Sequence, residues 1–165
     1  MNSELRKGFT LIEVLIYIAL LAVMLLGMVQ LTASVLDLRG RVQNAKVLEE
    51  NLRHALTRIT AQVRHADDIT LPLAGAADTL ALTMLDPALD PTTFTVDGGA
   101  ITIRQGATAP AIPLTSSEIE VTSLTFSRIA ATPPAVRIDI AGQLRSAAGP
   151  YQSRLSVGTT AVIRR

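Results

Sequence analysis

A chain of 165 residues without cysteine has neither a disulfide framework nor a thiolate metal site, so its folded part depends on an apolar core alone. Hydrophobic residues make up 48% of it, aromatic residues only 3%, and the formal net charge is +1. That near-balance argues against a dominant electrostatic partner such as nucleic acid, and the length suits one small domain plus an anchor.

The chain opens on a short basic stretch, Arg6-Lys7-Gly8, followed by Phe9-Thr10-Leu11-Ile12-Glu13 and an unbroken apolar run to Val29. In the 21 residues from Phe9 to Val29, Glu13 is the one charge. As a helix they span about 31 Å, roughly the hydrocarbon thickness of a bilayer. A carboxylate at the centre of such a helix costs on the order of 2.5–3.5 kcal/mol, and less near its end, so Glu13 is expected to have a partner. One reading is an ordinary signal anchor, with Glu13 at interface depth beside Lys7.

Helical periodicity continues beyond the apolar run. Leu38, Val42, Ala45, Leu48, Leu52, Leu56, Ile59, Val63 and Ala66 follow one another in steps of three or four. The opposite face carries Arg39, Lys46, Glu50, Arg53, Arg58 and Arg64. This pattern predicts one long helix over residues 9–66, apolar all round in its first half and amphipathic in its second. Gly27 and Gly40 are expected soft points, each costing about 1 kcal/mol relative to Ala. The division expected along the chain is a spanning helix over 9–30, an amphipathic helix over 31–68 and a β-rich domain over 69–165.

The helix is expected to stop near Asp67-Asp68. Beyond it, short alternating runs recur at 79–84, 93–97, 100–104, 118–126, 135–140 and 154–163, which predicts six or seven strands. Asp97-Gly98-Gly99 between two of them is a hairpin signal. The fold class that follows is α+β, a long N-terminal helix packed on one face of a C-terminal antiparallel sheet.

Catalytic constellations are sparse. His54 and His65 lie eleven residues apart, about 16 Å along a helix, so they share a face but not a metal. Asp86-Pro-Ala-Leu-Asp90-Pro is a weak candidate for a calcium loop. It lacks the dense Asp/Asn/Gly spacing of known ligand runs and reads more simply as a solvated turn. No phosphate loop, HExxH or nucleophile triad is present, so neither an enzyme nor a cofactor or small-molecule substrate is expected. Residues 101–165 hold seven arginines, at 104, 128, 137, 145, 154, 164 and 165, against Glu118, Glu120 and Asp139. With no lysine and few aromatics to stack on bases there, arginines that protect strand edges are favoured over a nucleic-acid face.

The stretch Arg6-Lys7-Gly8-Phe9-Thr10-Leu11-Ile12-Glu13-Val14-Leu15 resembles the class III signal of type IV pilins and type II secretion pseudopilins. The resemblance implies that residues 1–8 are a leader cut by a prepilin peptidase after Gly8. It further implies N-methylation of Phe9 and places Glu13 as the fifth mature residue, the family's assembly glutamate. Lys7, Gly8 and Phe9 are thus the expected processing residues, with Gly8 essential. Loss of Glu4, Arg6 and Lys7 leaves a mature chain with 13 basic and 13 acidic side chains.

The positive-inside bias keeps such a leader cytoplasmic, and cleavage before the apolar run retains the helix. The freed amine of Phe9 and Glu13 of a neighbouring subunit would pair to set register more than to add stability. Leu56–Arg64, Ser123–Arg128, Val136–Ile140 and Thr160–Arg164 more loosely resemble J-type minor pseudopilins and W-type minor pilins. Major pilins often carry a kinking proline early in the helix and a C-terminal disulfide loop. Here no proline precedes Pro72, which suits a minor subunit equally well, and the absence of cysteine leaves stability to the core alone. The implied partners are a prepilin peptidase, sister pilins or pseudopilins and the inner membrane, with the C-terminal domain periplasmic. The alternatives are a competence-pilus subunit and a signal-anchored periplasmic binding domain that never polymerises.

Overall fold

The structure, a computed structural model, describes residues 10–145 and 153–164. It begins with one helix, α1 (Leu11–His65), which runs unbroken through Gly27 and Gly40. The chain divides after Gly40 into two units.

In the first unit the helix opens on Thr10, whose carbonyl accepts the N–H groups of Glu13 at 3.1 Å and Val14 at 3.3 Å. Where the apolar run ends, Thr32 and Ser34 donate their hydroxyls to the Met28 and Gln30 carbonyls, each at 2.9 Å. Both hydroxyls are thereby satisfied within the helix itself.

In the second unit, from Arg41 onward, Leu48, Leu52, Ala55, Leu56, Ile59 and Val63 are buried at helical spacing. The exposed face carries i,i+4 ion pairs, Arg53 Nε to Glu49 at 2.7 Å and Lys46 Nζ to Glu50 at 3.8 Å. The helix ends one residue before Ala66, which already begins β1 (Ala66–Leu71). The rest are β2 (Ala76–Ala77), β3 (Leu80–Met84), β4 (Thr92–Asp97), β5 (Ala100–Gln105), β6 (Ile112–Pro113), β7 (Ile119–Ile129), β8 (Ala135–Leu144) and β9 (Arg154–Val162).

These strands form two antiparallel sheets, ordered β1-β3-β4-β5-β6 and β2-β7-β8-β9, where a single sheet was expected. All six alternating runs are strands. The three further strands carry no alternation to read. In β1 the buried residues are Ala66 and Ile69, three apart, because register shifts on both sides of Asp68-Ile69 interrupt the pleat. The other two have two residues each.

The β4–β5 hairpin turns on Gly98 and Gly99, at φ of 56° and 78°, with Asp97 opposite Ala100. Two consecutive positive φ values are what a type I′ two-residue hairpin turn requires, and glycine takes them without strain. The Gly99 carbonyl accepts the Val121 N–H at 2.8 Å, tying this turn in the first sheet to β7 in the second. Arg128 on β7 makes another tie, donating Nη1 to the Ile69 carbonyl of β1 at 2.6 Å with Nη2 3.7 Å from the Asp68 carboxylate.

One core gathers side chains from the helix and both sheets, with Phe94, Phe126, Leu48, Leu52, Ile59 and Ile138 among the largest fully buried. Gly142 on β8 makes room for the helix. A Cβ there would stand 3.4 Å from the Leu52 side chain and 3.3 Å from the Glu120 carbonyl oxygen. The expected stripe is only partly covered, for Leu38 and Val42 remain 62% and 60% exposed while Leu48 is fully buried.

Candidate functional site: the apolar helix and its first turn

Lys7, Gly8 and Phe9 lie outside the described residues, so the site begins at Thr10. With Thr10 as the cap, Glu13 is the third helical residue, and Thr10-Leu-Ile-Glu13 has the spacing of a capping box. Sequence inspection for charge and hydropathy passes over this second property of Glu13, although the T-x-x-E spacing in front of an apolar run announces it. A carboxylate in the first turn also meets the positive end of the helix dipole. Glu13 is half-buried, and the apolar side chains around it stand open.

That openness is the main physical fact of the first unit. From Leu11 to Val29 every large apolar side chain is at least 45% exposed, and the most apolar stretch has none of its residues buried. Apolar area costs about 25 cal/mol per Å² in water, so this surface needs lipid or protein around it. The helix is long and apolar enough to cross a membrane.

The remaining candidates are dispersed. Asp86 Oδ1 accepts the Ala88 N–H at 2.9 Å, and Asp90 Oδ1 accepts the Met84 N–H at 2.9 Å. Each carboxylate thus closes its own turn. His54 and His65 are both exposed on the helix, and no group of three His, Asp or Glu side chains gathers among the described residues. Most of the C-terminal arginines are engaged by neighbours. Besides Arg128, Arg145 donates to the Gly98 carbonyl at 3.0 Å and Arg154 to Gln143 at 3.1 Å. Arg137 donates to Asp139 at 2.8 Å, and this hydrogen bond and charge raise its pKa above the ordinary guanidinium value. Arg165 lies outside the described residues.

Among the described residues, an apolar helix with no buried residue in its most apolar stretch and one carboxylate in its first turn continues into antiparallel sheets, a pilin-like α+β arrangement. Residues 5–29 match the prokaryotic N-terminal methylation motif, which supports the type IV pilin and pseudopilin family and processing by prepilin peptidase. The match covers the signal and the span, not the domain. The comparisons with curated proteins and with solved structures found no match.

Proposed function

We propose that the chain is a minor pilin or pseudopilin, a structural subunit of a type II secretion pseudopilus or type IV pilus. It is made with the leader 1–8, cleaved after Gly8, methylated on Phe9, and held by its helix in the inner membrane with the domain in the periplasm. The methylation motif, which runs through the first part of a helix whose most apolar stretch has no buried residue, carries this reading. Its mechanism is structural. Leaving the bilayer exposes the helix, and packing the same surface against neighbouring subunits offsets that cost. Glu13 recruits a neighbour by pairing with its freed Phe9 amine, an interaction that sets register more than it adds stability, because desolvation offsets most of the Coulomb gain. The absence of an early proline, together with the strand patterns of the C-terminal half, supports a minor subunit of the J or W kind.

The experiment is the intact mass of the chain recovered from membranes of its native host. A species beginning at Phe9 with one added methyl is expected. A chain still beginning at Met1 would leave a signal-anchored periplasmic domain as the better account.

A further inference from the structure

Strand β9 ends the sheet order β2-β7-β8-β9, so one of its edges faces away from β8. Along an antiparallel strand the backbone groups of successive residues point to opposite edges. The Ile163 N–H donates to the Pro134 carbonyl on the β8 side at 3.1 Å. The next N–H, that of Arg164, turns the other way and donates to the Arg64 carbonyl near the end of α1 at 3.3 Å. Counting back in twos, Val162, Thr160, Gly158 and Ser156 direct their backbone groups to the open edge. Among the described residues they have no backbone partner on that side. From Ser156 to Val162 this edge is about 20 Å long, the length of an ordinary strand.

The open edge borders a trough. Thr57, Thr60, Ala61 and Arg64 of α1 face Val157 to Thr159 across a hollow of about 540 Å³. A second hollow of about 860 Å³ shares Arg64 and extends to Arg164 and the Pro133-Pro134 turn. No Asp or Glu lines either one. Arg64 and Arg164 are exposed and form no ion pair among the described residues, whereas Arg53 at the other end is paired with Glu49.

We propose that the open edge of β9 accepts an additional strand, an extended acidic segment of a partner protein whose carboxylates lie against Arg64 and Arg164. Unpaired backbone groups supply the pairing and the two guanidiniums supply the selection. A second copy of this chain is a poor occupant. Antiparallel pairing of two open stretches Ser156–Val162 about their middle, Thr159, would set Arg154 of one copy opposite Arg164 of the other, and like charges directly opposite are destabilising. The surface belongs to the folded domain and does not depend on how the N-terminal helix is processed.

The test uses the full chain in detergent micelles and a fluorescein-labelled ten-residue peptide alternating Glu with Val and Thr. Saturable binding by fluorescence anisotropy is expected, together with slowed amide exchange at Ser156, Gly158 and Thr160. Reversing both charges, Arg64→Glu with Arg164→Glu, is expected to weaken binding at least tenfold. Thr160→Pro is expected to do the same, since it removes an outward donor without touching the β8 ladder. Equal binding of a peptide of the same charge interrupted by prolines would overturn the proposal, because charge alone would then suffice. So would undiminished binding to a folded Thr160→Pro chain, the absence of saturable binding, or covalent dimers formed through Thr159→Cys, which would stand opposite itself in that pairing, in this otherwise cysteine-free protein.

Discussion

At the scale of single residues, Glu13 combines two properties that substitution can separate. It stands three residues after Thr10 at the spacing of a capping box, a place that a carboxamide fits as well as a carboxylate, and it is the one charge of the apolar run. On the proposed role of Glu13, Glu13→Gln is expected to leave helix entry and cleavage intact while abolishing recruitment of neighbours by charge. A co-purification with sister subunits, run beside Glu13→Ala, checks this. Equal recovery of partners with Glu13→Gln would show that the charge is dispensable. Gly8→Ala is expected to leave the leader attached, read as an unshortened, unmethylated mass. Gly142 acts through space alone. Gly142→Ala sets a methyl 3.3 Å from the Glu120 carbonyl and against Leu52, and is expected to destabilise the domain by about 1–3 kcal/mol. Thermal melting in detergent measures it.

At the scale of elements, α1 shows one apolar stripe meeting two environments. Leu52 has no exposed surface, and Leu52→Ala is expected to cost about 2–5 kcal/mol. Leu38 belongs to the same stripe but is 62% exposed, so Leu38→Ala is expected to change domain stability by no more than about 0.5 kcal/mol. Denaturant unfolding of the two variants in parallel separates burial from periodicity, and equal losses would contradict the assigned boundary of the core. The β4–β5 turn offers a cleaner conformational test. A Cβ at Gly98 meets nothing within 4 Å, yet its φ is 56°, so the cost of Gly98→Ala is backbone strain alone, about 1–2 kcal/mol.

At the scale of the whole molecule, the two units differ in what stabilises them. The second has its own core and ties between its sheets, at Arg128 to Ile69 and Val121 to Gly99, whereas the most apolar stretch of the first has none of its described residues buried. A chain beginning at Arg41 is therefore expected to fold and remain dispersed without detergent, with a cooperative melt. The full chain is expected to partition into membranes. Aggregation of the shorter chain would mean that the first forty residues contribute to the core. The open edge of β9 belongs to this scale too, since it brings the end of the helix and the last strand to one trough.

The sequence by itself determined the apolar run, its lone carboxylate, the methylation motif and the alternation of six strands. Those properties are local, fixed by which side chains lie within a few turns of a helix or a few steps of a strand. It also placed the hairpin, because two adjacent glycines at a turn leave little choice of geometry. Only the tertiary structure decided that the strands divide into two sheets, that β1 carries two adjacent aspartates, and that the covered stripe begins near Leu48. Each depends on residues distant in the chain. Gly142 admits Leu52 from ninety residues away, Arg128 reaches Ile69 across the sheets, and Arg164 meets Arg64 only because β9 returns to the end of the helix. A periodic pattern states that a face is apolar; long-range packing decides which part of that face is covered and by what.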